Sequence, residues 1–367
     1  MEIIEDNSTA TTVQNGDSDT TFVVSTSNTT DVNFHGIVKE ETANKHNPTI
    51  NLVERHAITI AILIPFSIIG VLIRLGLIQL HTYQGAPVFA LIYPQFVGCT
   101  IFGFCLARKW FIMERYLPLY VGLQTGLCGS ITTFSSWMLL TFQDFENTPN
   151  YFRGGIYDFL AGLADIGITI GMSIVGLKFG EQLADVFMPN QKTPNKTIHK
   201  ITVKSSTMKG FTLLDWVCVA SGCASLVLII TLAATIQVHQ RILFAIVFAP
   251  IGTLTRWQLS RFNSSMSSFP IGTFIANVCG SATLGVLFLL RNGTVYSGIK
   301  CETLIGLSDG FCGCLTTIST FTSEIIILPR RHAYKYALTS IVTGQVAMIF
   351  LVGIYSWINH GLITTCN

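Results

Sequence analysis

The sequence predicts an all-helical integral membrane protein built from two copies of one domain. Of its 367 residues, 50% are hydrophobic and only 11% are charged, and its mean hydropathy is +0.54, whereas soluble domains carry about 25% charged residues. A stretch that begins at Gly126 recurs, with changes, from Gly310, 184 positions later. Both copies lie inside apolar segments, so the duplication belongs to the membrane part of the chain.

Apolar segments long enough to span a bilayer, which takes about 20 residues, follow a polar leader. We predict nine such spans, near residues 57–78, 87–107, 116–140, 156–177, 212–234, 241–259, 269–290, 301–327 and 335–358. Residues 1–50 are polar and acidic, a composition that cannot bury a core and that predicts a disordered tail. No basic segment precedes a short apolar core there, so we expect no cleavable signal peptide.

Basic residues set the expected orientation, because cytoplasmic loops of membrane proteins are enriched in lysine and arginine. Basic clusters follow the second, fourth and eighth spans, at residues 108–115, 178–209 and 330–331. These clusters share one side of the membrane if the N-terminus is cytoplasmic and the C-terminus extracellular. Arg291 and Lys300 oppose the scheme more weakly. Cys301 and Cys366 would both lie outside the cell, where the oxidising environment allows a disulfide to form between them.

The two copies are expected to be antiparallel. The first copy takes spans one to four and the second takes spans six to nine, so the fifth span is needed to invert the second copy. The chain then divides into a disordered tail (1–50), a first repeat (51–180), a basic cytoplasmic loop (181–211), a linking transmembrane helix (212–236), a second inverted repeat (237–360) and a C-terminal tail (361–367).

Matching motifs recur at nearly constant spacing along the two copies. Arg74 in the first span matches Arg256 in the sixth, and Gln95 in the second matches Asn277 in the seventh, each 182 positions apart. The regular spacing over the whole repeat makes the duplication secure.

The third span of each copy is crowded with residues that weaken helices. These residues are Gly126, Gly129, Thr132 and Thr133 in the first copy, and Gly310, Gly313, Thr316 and Thr317 in the second. We therefore expect each helix to break within the membrane. A break frees backbone carbonyls, which in lipid must be satisfied by protein, water or a bound ion. Two breaks that meet at the symmetry axis would direct their carbonyls at one cation.

The Gly-x-x-x-Arg, Asn-x-x-Gly and Gly-x-Cys-Gly-x-x-Thr-Thr motifs resemble those of the small fluoride channels, the Fluc/FEX family, over residues 57–358. The chain resembles the eukaryotic form, in which one polypeptide carries both halves and a linking helix. The resemblance implies a structural Na⁺ held by four backbone carbonyls, those of Gly129, Thr132, Gly313 and Thr316. It also implies that Arg74 and Arg256 lie at the vestibules.

A fluoride path needs donors that replace the tightly held water of the ion without a full positive charge. Asparagine amides, hydroxyl groups and the edges of aromatic rings are such donors. The resemblance implies a path lined by residues of these types: Asn277, Phe134, Phe321, Tyr336 and Ser340, with Thr320 and Glu324 as supports.

Differences between the copies predict one working pore. Pairing the ring positions across the copies puts Phe134 with Phe321, but Ile318 with Trp137. The first copy keeps the tyrosine, as Tyr157, and differs elsewhere: it has Gln95, Leu140, Ala161 and Asp165 where the second has Asn277, Glu324, Ser340 and Gly344. A carboxylate at Asp165 would repel a passing anion.

Several alternatives stand beside a passive fluoride channel of the plasma membrane that works as a single chain. A proton-coupled anion transporter could use Asp158 and Asp165, which are seven positions apart and share a helix face. A non-transporting scaffold gives no reason for polar residues in the seventh and ninth spans. Core packing is the alternative role of the phenylalanines, and structural pairing that of Arg74 and Arg256.

Other classes of protein are disfavoured. Scattered basic residues and a net charge of +2 argue against a nucleic-acid partner. No catalytic triad, metal-ligand cluster or Walker-type phosphate loop is present in the sequence. We therefore expect neither an enzyme nor an organic cofactor.

Overall fold

A computed structural model describes residues 48–148, 150–189, 212–236, 238–293 and 298–358. All regular elements within these ranges are helices, which confirms the predicted all-helical class. Nearly all of the predicted N-terminal tail and most of the basic loop lie outside the described residues, as does Cys366. Cys301 is disulfide-bonded.

The first half of the chain contributes five main helices. They are α1 (Pro48–His81), α2 (Ile92–Ala107), α3 (Lys109–Val121), α4 (Ser135–Glu146) and α5 (Gly155–Phe187). Between α3 and α4 the chain forms a π-helix (Gly122–Cys128) and a single turn (Gly129–Ile131). The linking helix α6 (Leu213–Thr235) follows. Its first turn is capped by Thr212, whose hydroxyl accepts from the backbone N–H of Asp215 at 3.2 Å.

The second half follows the same order. It contains α7 (Gln240–Leu259) with a 3₁₀ extension (Ser260–Ser265), α8 (Ile271–Gly293), α9 (Ile299–Leu307), a π-helix (Ser308–Cys312), a single turn (Gly313–Leu315), α10 (Ser319–Ile327), α11 (Arg330–Met348), a second π-helix (Ile349–Gly353) and α12 (Ile354–Ile358). A π-helix therefore precedes the turn in both copies, a feature that the sequence did not predict.

Both third-span helices break where the glycine and threonine residues predict. Thr132, at φ −89° and ψ 152°, leaves helical geometry after Ile131, and the helix restarts at Ser135. Thr316 does the same at φ −96° and ψ 156°. Each break leaves a short extended segment in the middle of an apolar helix.

Seven helices in the described part of the chain are long and apolar enough to cross a membrane. The pair formed by Ile92–Ala107 and Lys109–Glu146 adds an eighth if it counts as one span, although its two members are bent by 107°. The multi-pass character is therefore confirmed. The count of nine stays a prediction, because it requires the two members of this pair to cross separately.

Helices α2 and α5 pack backbone against backbone through glycines. A Cβ added at Gly180 would overlap the carbonyl of Thr100, and one added at Gly103 would overlap that of Leu177. Such close approach through small residues is typical of membrane helices, where packing rather than water expulsion drives association. Gly171, on another face of α5, has no atom within 4 Å of an added Cβ.

We expect Gly180→Ala to lower the melting temperature of the purified protein in detergent. The added methyl group must push two backbones apart, which costs about 1–3 kcal/mol in a packed core. Gly171→Ala is the matched control on the same helix and should be neutral or slightly stabilising, since alanine favours helix. Equal melting temperatures for the two variants would contradict the observed α2–α5 contact.

Candidate functional site

The two helix breaks meet, and each caps a helix of the other repeat. The hydroxyl of Thr316 accepts from the backbone N–H groups of Phe134 at 3.1 Å and Ser135 at 3.0 Å. Thr132 accepts in the same way from the N–H groups at the start of α10, at 3.3 and 3.2 Å. Because lipid offers no water to these N–H groups, the exchanged hydroxyls are what satisfies them. The exchange is reciprocal, as contacts across an approximate two-fold axis are.

The side chains of Arg74 and Arg256 end at the same centre. They are only 2% and 4% exposed. Arg74 donates to the carbonyls of Ser130 and Gly313, both at 2.8 Å, and to that of Asp309. Arg256 donates to the carbonyl of Thr125 at 2.6 Å. Each guanidinium group therefore binds backbone of the other repeat, and the vestibule role of these arginines stays a prediction.

The guanidinium groups explain two of the motif glycines. A Cβ added at Gly129 would overlap the guanidinium of Arg256, and one added at Gly313 would overlap that of Arg74. The Gly-x-x-x-Arg motif of one repeat and the Gly-x-x-Thr-Thr motif of the other are therefore parts of the same contact.

The predicted sodium ligands fit a cation in part. Within the described residues, the carbonyls freed at Thr132 and Thr316 accept no hydrogen bond. Their extended geometry therefore leaves two oxygens for an ion. The Gly313 carbonyl, by contrast, already accepts from Arg74, and a cation there would have to share it with a positive group.

One amide in each repeat clamps the break. The Asn277 amide donates to the carbonyl of Thr317 at 3.2 Å and accepts from its N–H at 2.9 Å. Gln95 does the same with Thr133, at 2.7 and 3.3 Å. The sequence comparison treated Gln95 as a lost pore residue. In the structure both amides have the same clamping role, and each has one amide hydrogen beyond that role.

Four predicted pore residues gather in one buried group. The rings of Phe134 and Phe321 meet edge to face, with centroids 5.3 Å apart at 72°. Tyr336 packs beside Phe321 at 5.2 Å. Ser340, one turn further along α11, is fully buried, and its hydroxyl has no partner among the described residues. Edges of rings and a free hydroxyl are groups that suit a small anion.

Glu324 holds the tyrosine in place at one end of this group. Its carboxylate accepts from the hydroxyl groups of Tyr336 and Thr273, both at 2.7 Å, and from the amide of Asn263 at 3.2 Å. The sequence comparison missed Asn263 and Thr273, although Thr273 lies one turn before Asn277 on α8. The structure does not bring Thr320 into this network: its described contact is a carbonyl that accepts from Ser323.

The matching positions of the first repeat are arranged differently. Trp137 and Ile318 are fully buried, and Trp137 packs its indole edge to face on Phe134 at 5.3 Å. Tyr157 is 61% exposed, whereas Tyr336 is fully buried. The tyrosine that the two copies share therefore points out of the bundle in the first copy.

The two aspartates of α5 lie in separate surroundings. Asp158 forms an ion pair with Arg153 at 2.6 Å, near the start of the helix. Asp165 is buried and accepts a hydrogen bond from Thr141. The structure thus gives each aspartate its own partner and shows no contact between the two.

Comparison with known proteins gives one family match. The profile of the family "CrcB-like protein, Camphor Resistance (CrcB)" matches residues 61–177 and again residues 243–354. The two matches contain Arg74 and Arg256 respectively, together with both helix breaks. No solved structure matches the chain.

Curated relatives resemble either the whole chain or one of its halves. The chain is 33% identical over 312 residues to "Fluoride export protein 1" of Candida albicans, covering 78% of this chain and 77% of the relative. It is 33% identical over 302 residues to "Fluoride export protein 1" of Schizosaccharomyces pombe, covering 80% and 95%. "Fluoride-specific ion channel FluC" of Salmonella arizonae is 31% identical over 120 residues, which is 32% of this chain and 93% of that relative.

We expect Thr132→Val and Thr316→Val each to destabilise the protein, because each removes the acceptor for two buried N–H groups. Loss of a helix cap costs about 0.5–2 kcal/mol, and a buried unsatisfied donor costs about 1–3 kcal/mol. Thr→Ser at the same positions keeps the hydroxyl and should retain most of the stability. Melting temperatures in detergent measure the effect; equal values for the valine and serine variants would contradict the exchange of caps.

Proposed function

The chain belongs to the CrcB-like family, and from this membership we propose that it is a channel that exports fluoride passively and protects the cell from fluoride. Relatives that match most of the chain are named for fluoride export, and one that matches a third of it is named a fluoride-specific ion channel. Channels of this kind need no reaction chemistry, which agrees with the transport character of the family.

The observation that carries the proposal is the buried group of Phe134, Phe321 and Ser340. Fluoride is small and strongly hydrated, so a narrow path must replace its water with other donors. The Ser340 hydroxyl has no partner in the described residues, and the ring edges carry partial positive charge. Donors without full charge bind an anion weakly enough to release it.

We assign conduction to one pore, formed by Asn277, Phe134, Phe321, Tyr336 and Ser340. Their matches in the first repeat do not form an equivalent group, since Trp137 fills its site with an indole. Tyr157 turns away from the bundle, and Asp165 places a carboxylate where the second repeat has a glycine. Glu324 supports this pore by accepting from Tyr336. Thr320 remains a candidate support at its edge.

The proposed arrangement has nine spans, with antiparallel repeats on either side of α6. The reciprocal capping by Thr132 and Thr316 fits two repeats related by an approximate two-fold axis, and α6, as a single span between two four-span repeats, would invert the second of them. The expected orientation has the N-terminus in the cytoplasm and the C-terminus outside, in the plasma membrane. One fused chain supplies both repeats, so a single polypeptide is sufficient.

A sodium ion is proposed at the centre, on the free carbonyls of Thr132 and Thr316, with those of Gly129 and Gly313 as further ligands. An ion bound there would tie the two breaks together electrostatically. Arg74 and Arg256 already link the two repeats in part, since each donates to a backbone carbonyl of the opposite repeat.

Export needs no energy source beyond the membrane potential. Hydrogen fluoride that enters from an acidic medium dissociates inside, and the fluoride anion is then driven outward. An inside-negative potential supplies about 2.3 kcal/mol per charge per 100 mV. This driving force favours a channel over a coupled transporter.

We expect liposomes that hold the purified chain to release fluoride at a rate set by voltage alone. A fluoride electrode measures release after valinomycin fixes the potential, with chloride as the control anion. A coupled transporter would respond to an imposed pH gradient at constant voltage, whereas a channel would not. Absence of fluoride release, or equal release of chloride, would defeat the proposed function.

The single-pore proposal predicts unequal effects of two matched substitutions. Tyr336→Phe removes the hydroxyl group that donates a hydrogen bond to Glu324. Hydrogen bonds to charged groups contribute about 1.5–3 kcal/mol, so the substitution should lower fluoride flux by roughly 10- to 100-fold. Tyr157→Phe changes an exposed side chain and should leave flux within about two-fold. Similar losses from both variants would show that the first repeat conducts as well.

A further inference from the structure

We infer that the carboxylate of Asp165 is a tethered anion that occupies the anion position of the first repeat and so keeps that side closed to the transported ion. The inference rests on the proposed function for the identity of that ion. It assigns a binding site, with its donors, to side chains that the conducting pore does not use.

The position of Asp165 is that of a pore-lining residue. Its match in the second repeat is Gly344, whose added Cβ would lie 3.3 Å from the ring of Phe134 and 2.8 Å from the sulfur of Met138. In the second repeat, therefore, a glycine without a side chain packs against the ring of Phe134. The first repeat has a carboxylate at the matching place on α5, and this carboxylate is only 2% exposed.

Three uncharged donors surround the carboxylate. The Thr141 hydroxyl donates to Oδ2. The indole N–H of Trp137 and the hydroxyl of Thr169 are close to Asp165, but neither has a hydrogen-bond partner in the described part of the chain, Asp165 included. Oδ1 of Asp165 is likewise without a partner in hydrogen-bonding geometry. Two nearby donors and one carboxylate oxygen are therefore left without partners at the same place.

No positive side chain offsets this charge in the described residues, where Asp165 takes part in no salt bridge. Buried carboxylates are usually paired with a cation. Here the hydroxyl of Thr141 donates to the carboxylate, and two further donors without partners are close by. Hydroxyl and N–H groups are the kinds of donor that suit a mobile anion in a narrow path. The site therefore has the chemistry of an anion site whose anion is part of the protein.

The donors and the carboxylate occur together in one repeat and are lost together in the other. The positions that match Thr141, Trp137 and Thr169 hold three residues without a side-chain N–H or O–H: Ile325, Phe321 and Met348. A residue that only fills space would not require three matching donors. This joint difference within one chain favours a built site over a chance substitution.

Chemical rescue of the full-length protein tests the site without any flux measurement. Asp165→Ala removes the anion but leaves the donors, so its melting temperature in gluconate should fall. About 100 mM formate, which can replace the carboxylate, should then restore about half of the loss or more, since ligand binding stabilises the folded state. The wild-type protein should respond to formate by no more than about 1 °C, as its site is already filled.

Asp165→Asn is the matched control, because its amide has the same size but no charge and fills the site. It should be less stable than wild type and should gain nothing from formate. An Asp165→Asn variant as stable as wild type, or an Asp165→Ala variant that formate does not stabilise beyond gluconate, would overturn the inference. The first of these outcomes would mean that the side chain acts as a neutral hydrogen-bonding group.

A reciprocal substitution keeps the inference testable if Asp165→Ala fails to fold. Gly344→Asp places a carboxylate in the conducting pore and should reduce fluoride flux at least tenfold relative to Gly344→Asn, which has the same volume. Equal flux through both variants would overturn the inference. The wild-type flux in the same liposomes reports on the proposed function separately, so failure of one is distinguishable from failure of the other.

Discussion

The structure depends on an exchange of hydrogen bonds: each repeat has buried backbone N–H groups whose acceptor belongs to the other repeat. A helix that restarts in the middle of a membrane exposes backbone N–H groups that neither water nor lipid can satisfy. Thr316 supplies the acceptor for the helix that starts at Ser135, and Thr132 supplies it for the helix that starts at Ser319. Neither third-span helix is complete without the opposite repeat. This mutual need explains why both copies keep the same glycines and threonines even where other residues have diverged.

The shared centre places the pore residues. Phe134 and Ile318 are the last residues before the restarted helices, so the capping contact fixes where their side chains point. Single side chains can therefore differ between the two repeats while the backbone around the breaks stays the same. Isoleucine at 318, where the first copy has Phe134, leaves the centre intact, since the Ile318 N–H still donates to Thr132. A symmetric scaffold can in this way carry an asymmetric function.

Composition and the internal repeat predicted the class of fold and the two breaks, and the family resemblance implied the ring pair of Phe134 and Phe321. The fold class and the breaks depend on local composition or on the internal repeat, both of which are visible in one sequence. The clamp formed by Gln95 was not predictable in this way, because only the coordinates show that the longer glutamine side chain makes the same pair of hydrogen bonds as Asn277. The burial of Arg74 and the network around Glu324 likewise depend on how distant helices meet. Residue type alone does not carry that information.

The two carboxylates near the aromatic groups, Asp165 and Glu324, are expected to affect a passing anion differently because they differ in burial. At 4 Å and an effective dielectric constant of about 20, two unit charges interact by about 4 kcal/mol. That repulsion exceeds the roughly 2.3 kcal/mol that 100 mV supplies to a monovalent ion. An ionised Asp165, almost fully buried, would therefore close its side of the protein at ordinary membrane potentials. Glu324 is only half-buried and accepts from three donors, one of them Tyr336, so these hydrogen bonds weaken its field. A half-buried carboxylate that accepts from three donors is thus compatible with an anion path, whereas a fully buried one with a single bonded donor is not.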